Sequence, residues 1–142
     1  MRLTKKIQLV FANNKLATIS TIDMLSMAPE SALVAFVEGD DLELYFQTSM
    51  HSRKYQNIQR NSKVAFVIGF DMLTVQYEGY AERINNPTLI EKTKQLFFNK
   101  ESPSTPYYLN LPDTAIFKVT PKWVGYRDYS KSTPEINEIV IF

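Results

Sequence analysis

The sequence contains no cysteine. That excludes disulfides, thiolate nucleophiles and cysteine-ligated metal centres, and leaves any redox chemistry to a borrowed cofactor. Histidine is nearly absent too: His51 is the only one. It has no carboxylate nearby in sequence to orient it as a general base, so it reads as an exposed loop residue, and no metal-ligating set is expected. The four glycines, Gly39, Gly69, Gly79 and Gly125, are scattered, so neither a dinucleotide-binding fingerprint nor a P-loop runs through them. Nor is there an excess of one charge. With 16 basic and 15 acidic residues the net charge is +1, too little to draw nucleic acid or an anionic membrane over a broad surface. Any anion site must therefore be local. No apolar run approaches the roughly 20 residues of a membrane span, and Met1-Arg2 opens no hydrophobic leader. A cytoplasmic protein without nucleic-acid or membrane partners is expected.

What is present is a sequence built to fold. Apolar residues make up 44% and aromatics 13% of the 142 residues, enough for the core of one domain spanning 1–142. Leu3, Ile7, Val10 and Phe11 have the spacing of an amphipathic helix over Leu3–Ala12, ended by Asn13-Asn14. Leu16–Ile22 is rich in β-branched residues and reads as a strand. Asp23–Pro29 is a connector whose Met24 and Met27 read as core filling. Ser31–Val37 is a nearly continuous apolar run, expected to be a strand buried on both faces. The turn Glu38-Gly39-Asp40-Asp41 folds it back into the next strand as a hairpin.

Further along, Val64–Phe70 is a strand with Val64, Phe66, Ile68 and Phe70 on one face. Leu73–Ile84 is a longer strand, and Gly79 within it marks a bulge or a close backbone approach. Pro87 opens a helix with an inward stripe of Leu89, Thr93, Leu96 and Phe97. Lys100–Pro112, with its Tyr107-Tyr108 pair, is a loop. A strand from Thr114 continues past Pro121 to Tyr126. Ser130–Pro134 is a short linker, and the apolar Ile139–Phe142 must pack on this core or on another subunit. Six to seven short strands interrupted by helices predict an α+β fold, an antiparallel barrel with peripheral helices.

The chemistry concentrates in Leu42–Ile58. Leu42, Leu44, Phe46 and Thr48 alternate with Glu43, Tyr45 and Gln47, the period of a half-buried strand. Then Ser49, His51, Ser52, Arg53 and Lys54 arrive together. Ser52 suits the cap of a short helix through Tyr55 and Ile58, closed by Asn61 in a left-handed conformation. Hydroxyls, a helix start and two cations make a local anion site, with Arg53 able to fork two oxygens and Lys54 adding a point charge. A capped surface helix with solvated cations is the alternative for the same residues. On the Leu73 strand, Thr74, Gln76 and Glu78 share a face. A glutamine on an inward face can both donate to and accept from a pyrimidine-like edge; a solvent-facing glutamine is the alternative.

The blocks YFQTSMHSRKYQNI, NSKVAF and TVQYEGYAERI, in that order, resemble the FMN-binding split barrel of the pyridoxamine 5′-phosphate oxidase type, over about Leu16 to Trp123. The resemblance implies a homodimeric split β-barrel with FMN between subunits. It implies that Thr48, Ser49, Ser52, Arg53 and Lys54 hold the FMN phosphate. It implies that Gln76, or Thr74 beside it, meets the isoalloxazine edge, and that Trp123 and Arg127, next to Asp128, approach the flavin; Trp123 serves equally well as a core anchor. A flavin-dependent oxidoreductase of unknown substrate follows, with NAD(P)H a candidate donor. The alternative is a non-catalytic carrier or sensor of flavin, haem or deazaflavin, with His51 as the haem ligand. Two departures stand out. Where those oxidases carry an Arg and a Lys bracketing the strand before the hairpin, this sequence has Ala32 and Val37. It also lacks the terminal Arg-x-His segment used on the substrate phosphate. Authentic pyridoxamine 5′-phosphate oxidase activity is therefore not expected.

Overall fold

Alternation on the strands sets the architecture. On the strand Leu73–Arg83, Val75, Tyr77, Gly79 and Ala81 are buried, while Gln76, Glu78 and Tyr80 between them face outward. The computed structural model describes residues 1–102 and 109–141, so the Tyr107-Tyr108 pair and Phe142 lie outside the described residues. The elements are α1 (Leu3–Ala12), β1 (Leu16–Ile22), β2 (Pro29–Glu38), β3 (Leu44–Ser49), α2 (Arg53–Arg60), β4 (Lys63–Ile68), β5 (Leu73–Arg83), α3 (Pro87–Asn99), β6 (Thr114–Asp128) and β7 (Glu135–Val140). A single 3-10 turn, Asp40–Leu42, joins β2 to β3.

The sheet order among the described residues is β3-β2-β1-β4-β5-β6-β7, and β3 also pairs with β6. That extra pairing closes β1 to β6 into an antiparallel barrel, with β7 added outside the closure. The long β6 makes this possible. Its first half, Thr114 to Val119, pairs with β3, and its second half, Trp123 to Asp128, pairs with β7. Between the halves the register against β5 shifts at Glu78/Gly79, the bulge that a glycine inside the strand suggested. A Cβ at Gly79 would collide with the Thr120 carbonyl oxygen, so only glycine lets the two backbones approach this closely.

The barrel interior holds Ile19, Val34, Phe36, Phe46, Phe66, Val75, Tyr77, Phe117 and Val124, capped by Ile7, Val10 and Phe11 of α1. Phe46 stacks on Phe117 with centroids 5.2 Å apart, and Phe66 meets Tyr77 edge-on at 5.7 Å. The Tyr77 hydroxyl donates to the Leu42 carbonyl at 2.9 Å and lies 3.3 Å from that of Val119, which satisfies its polar tip in this apolar space. A second cluster, Ala35, Val37, Tyr45, Ile84, Phe97 and Ile116, lies under α3 on the outside of the barrel. Asn86 caps α3 by accepting from the Leu89 N–H at 3.1 Å. At its far end, Lys100 donates to Glu38 Oε1 at 2.8 Å and to the Phe11 carbonyl at 3.0 Å, tying α3 to α1 and β2.

Several expectations need correcting. Only Val34–Val37 is buried on both faces of β2, because α3 does not reach the outward-facing Ser31 and Leu33, which stay exposed. Met24 and Met27 are exposed in the β1–β2 connection rather than in the core. Phe70 is exposed as well, since Gly69 turns the chain with φ +85° after β4 has ended at Ile68. Asn61 is extended, at φ −147°, not left-handed; its side-chain oxygen instead accepts from the Lys63 N–H at 3.1 Å and starts β4. The tail is an edge strand from Glu135 onward, with Ile139 packed on the core and Val140 exposed. Among the described residues no helix is long and apolar enough to cross a membrane, and no group of three or more His, Cys, Asp or Glu could hold a metal ion.

Candidate functional site

The β3–α2 junction forms one cradle. Ser52 is extended and its Oγ accepts from the Tyr55 N–H at 3.2 Å, as a helix cap does. The same hydroxyl donates to the Ser49 carbonyl at 2.8 Å and lies 2.9 Å from Thr48 Oγ1. Ser52 has one proton, already committed to Ser49, so Thr48 is the donor between them. Ser49 Oγ in turn accepts from the His51 N–H at 3.1 Å. The hydroxyls therefore shape the helix start and leave no free hydroxyl proton on Thr48 or Ser52 for a ligand. What α2 does offer is the N–H groups of Arg53 and Lys54, which precede the Tyr55 N–H taken by the cap and have no intrahelical partner.

The two cations of the cradle differ. Lys54 is half-buried and makes no hydrogen bond or ion pair among the described residues; burial pushes its pKa below the usual lysine range. A cation held in that way favours an anion from outside the chain. Arg53 is three-quarters exposed, and its Nη1 donates to Glu30 Oε2 at 2.9 Å. Glu30 Oε1 accepts from Asn57 Nδ2 at 2.8 Å, and the same buried amide reaches Thr21 Oγ1 at 2.9 Å. Glu30, Ala32, Arg53 and Lys54 line a cleft of about 90 Å³, room for a head group and not for a ring system. Ala32 thus stands at the cleft, whereas Val37 is buried under α3, away from it.

Next to this cleft, and sharing Thr21 with it, a wider depression of about 380 Å³ spreads over the outer faces of β1, β4 and β5. Its walls include Ser20, Ala65, Glu78, Tyr80 and, from β6, Lys122. Strand register carries this outer face further. Leu33, Thr18, Val67, Gln76 and Gly125 lie side by side across five strands, with Thr74 opposite Arg127 and Glu78 opposite Trp123. Gln76 is therefore on the outside of the barrel, exposed, not on an inward face; the inward positions belong to Val75 and Tyr77. Trp123 is not a core anchor. It packs with Arg127 over Gly125, where any Cβ would meet the indole, and its Nε1 donates to Glu138 Oε2 at 2.8 Å. Within one chain the predicted residues thus form two groups: Thr48, Ser49, Ser52, Arg53 and Lys54 at the cradle, and Thr74, Gln76, Trp123 and Arg127 on the outer sheet face.

Two neighbours were invisible to sequence spacing. Glu30 reaches Arg53 across 23 residues. Asp113 places Oδ2 at 3.6 Å from His51 Nε2 and at 3.5 Å from Ser49 Oγ. His51 thus has the carboxylate it lacks locally, but the imidazole is 81% exposed.

The family model for pyridoxamine 5′-phosphate oxidase matches residues 3–128. No curated protein matches the sequence. Among solved structures, the General Stress Protein 26 from Bacillus anthracis is 25% identical over 98% of this chain and 100% of its own, with a TM-score of 0.75. A protein from Listeria innocua, provisionally assigned as a pyridoxamine 5′-phosphate oxidase, is 18% identical over 88% of this chain and 98% of its own, with a TM-score of 0.71. The heme storage protein HutZ from Vibrio cholerae is 16% identical over 99% of this chain and 95% of its own, with a TM-score of 0.74. The last two are likenesses of fold alone.

Proposed function

Since the chain belongs to the pyridoxamine 5′-phosphate oxidase family, we propose that it binds FMN and is a flavin-dependent oxidoreductase. The observation that carries this reading is Lys54, a half-buried cation without a partner among the described residues, in a cleft of phosphate size. Its ammonium and the first N–H groups of α2 would hold the phosphate, with Arg53 at the rim. The isoalloxazine would lie outside the barrel over the wider depression, with Gln76 or Thr74 toward its polar edge. FMN, when bound, supplies the hydride and electron chemistry; the chain orients the ring and screens it from water. NAD(P)H is the donor class we would test first.

The outer face supports a homodimer. Leu33, Val67, Phe70, Met72 and Leu73 are all exposed on or beside it, an apolar surface of the kind that subunit contacts cover. In such a dimer Trp123 and Arg127 of one subunit would approach the flavin held by the cradle of the other. Light scattering at micromolar concentration should give twice the chain mass, and a monomer with FMN present would overturn the pairing.

A second reading is a non-catalytic carrier or sensor of flavin, deazaflavin or haem. The exposed imidazole of His51 favours the haem version. The absorption spectrum of the purified protein separates flavin from haem, and turnover of NAD(P)H by the flavin-loaded protein separates an oxidoreductase from a carrier. Flavin bands, or quenching of added FMN fluorescence, support FMN binding; a Soret band supports the haem version of the second reading. Protein that stays colourless and leaves FMN fluorescence unchanged rejects FMN binding.

A further inference from the structure

We infer that Glu30 limits how tightly the α2 cleft holds a dianionic phosphate such as that of FMN, acting as an internal counter-ion that already occupies Arg53. This rests on reading the cleft as the anion site. The carboxylate is not a loose surface group. Both its oxygens are engaged, one by Arg53 at 2.9 Å and one by Asn57 at 2.8 Å. Asn57 is itself buried and anchored on Thr21, and Thr21 pairs with Glu30 in the β1–β2 register. The fork of Arg53 is thus already turned toward a carboxylate, in the same cleft that Lys54 lines.

Charge counting gives the consequence. Arg53 and Lys54 face Glu30 across one cleft, which leaves a single net positive charge there. A monoanion is balanced by it. A dianionic phosphate is not, and its approach sets two negative groups against each other while Arg53 serves only one of them. Glutamine in place of Glu30 keeps the acceptor for Asn57, removes the negative charge and frees Arg53 to fork a phosphate.

The experiment compares the intact protein with Glu30→Gln. FMN and riboflavin are titrated by fluorescence, and inorganic phosphate by 31P NMR. Glu30→Gln should tighten FMN by about 10- to 100-fold, the range of one restored charge-assisted contact, tighten phosphate in parallel, and change riboflavin less than about threefold. Adding Arg53→Ala should remove most of the gain. Equal FMN affinity in the two folded proteins overturns the inference while leaving FMN binding intact. If neither protein binds a flavin, the FMN reading fails, and the phosphate titration decides alone: a gain supports the role of Glu30 and no gain overturns it. Circular dichroism checks folding; if Glu30→Gln is unfolded, Glu30→Ala provides the same comparison.

Discussion

Replacing Lys54 with methionine tests the cradle because it makes two opposite changes. Without a ligand the ammonium is half-buried and, among the described residues, uncompensated. Methionine keeps the apolar contacts of the lysine stem and removes the charge. The ligand-free protein should therefore be as stable as before, or more stable by up to about 1 kcal/mol, a rise of a few degrees in Tm. With a phosphate-bearing ligand the sign reverses. The lost charge-assisted contact is worth about 1.5–3 kcal/mol, or about 10- to 150-fold in Kd. Riboflavin, which has no phosphate, should change by less than about threefold. Arg53→Ala should cost FMN less than Lys54→Met does, because Arg53 is 75% exposed and already paired with Glu30, and such surface groups contribute about 1 kcal/mol or less. Fluorescence titrations of FMN and riboflavin, beside thermal unfolding of the ligand-free proteins, read all of these. Equal losses for both ligands, or a marked fall in ligand-free stability, would refute the placement of Lys54 at the phosphate.

Three further outcomes are expected. Gly79→Ala drives a methyl group into the Thr120 carbonyl at the β5–β6 bulge and should cost about 1–3 kcal/mol in urea unfolding; an unchanged midpoint would mean that the bulge relaxes freely. Hydrogen bonds from Lys131 and Lys6 hold the Glu135 carboxyl down from its ordinary 4.5 to about 2. A depressed carboxyl stabilises the fold fully above its unfolded value and loses that contribution as pH falls from about 4.5 to about 2, so Glu135→Gln should flatten the acid limb of stability, and an unaltered limb would refute the assignment. FMN-loaded protein under air should form little pyridoxal 5′-phosphate from pyridoxamine 5′-phosphate. Ala32 offers no cation at the cleft, Lys131 is held by Glu135 at 2.6 Å, and Arg127 donates to the Tyr126 carbonyl at 3.1 Å; turnover matching an authentic oxidase would overturn that expectation.

Local patterns proved legible and long-range ones did not. The helical spacing of Leu3, Ile7, Val10 and Phe11 located α1, and β-branched density located β1, because neighbours in sequence decide both. The cap at Ser52 and Pro87 at the start of α3 were readable for the same reason. The side on which Gln76 sits was not, since period 2 separates two faces without saying which is inside. The exposure of Phe70 depends on the sharp turn at Gly69, and that of Ser31 and Leu33 on where α3 stops covering β2. The cradle was legible in its residue types, Thr48 to Lys54, but not in its electrostatics. Glu30 and Asp113 come from other strands and loops, and only the closed barrel brings them to Arg53 and His51.

The double use of β6 bears on how this protein opens. The half of β6 that pairs with β3 completes the ring, so separating it means dismantling the barrel. The half that pairs with β7 carries a mostly exposed edge strand, held on its far side by no further strand among the described residues. Amide hydrogen exchange should divide along that line. Ile139 and Asn137 would exchange through a small, cheap excursion of the edge, while Phe117 and Val119 would wait for global unfolding. Ring closure also joins segments far apart in the chain, β3 to β6, so the final pairing comes at a large loop-closure entropy and folding should be slow for a protein of this size. The chain can therefore loosen the edge beside Trp123 and Arg127 quickly, while the barrel that carries the cradle stays shut.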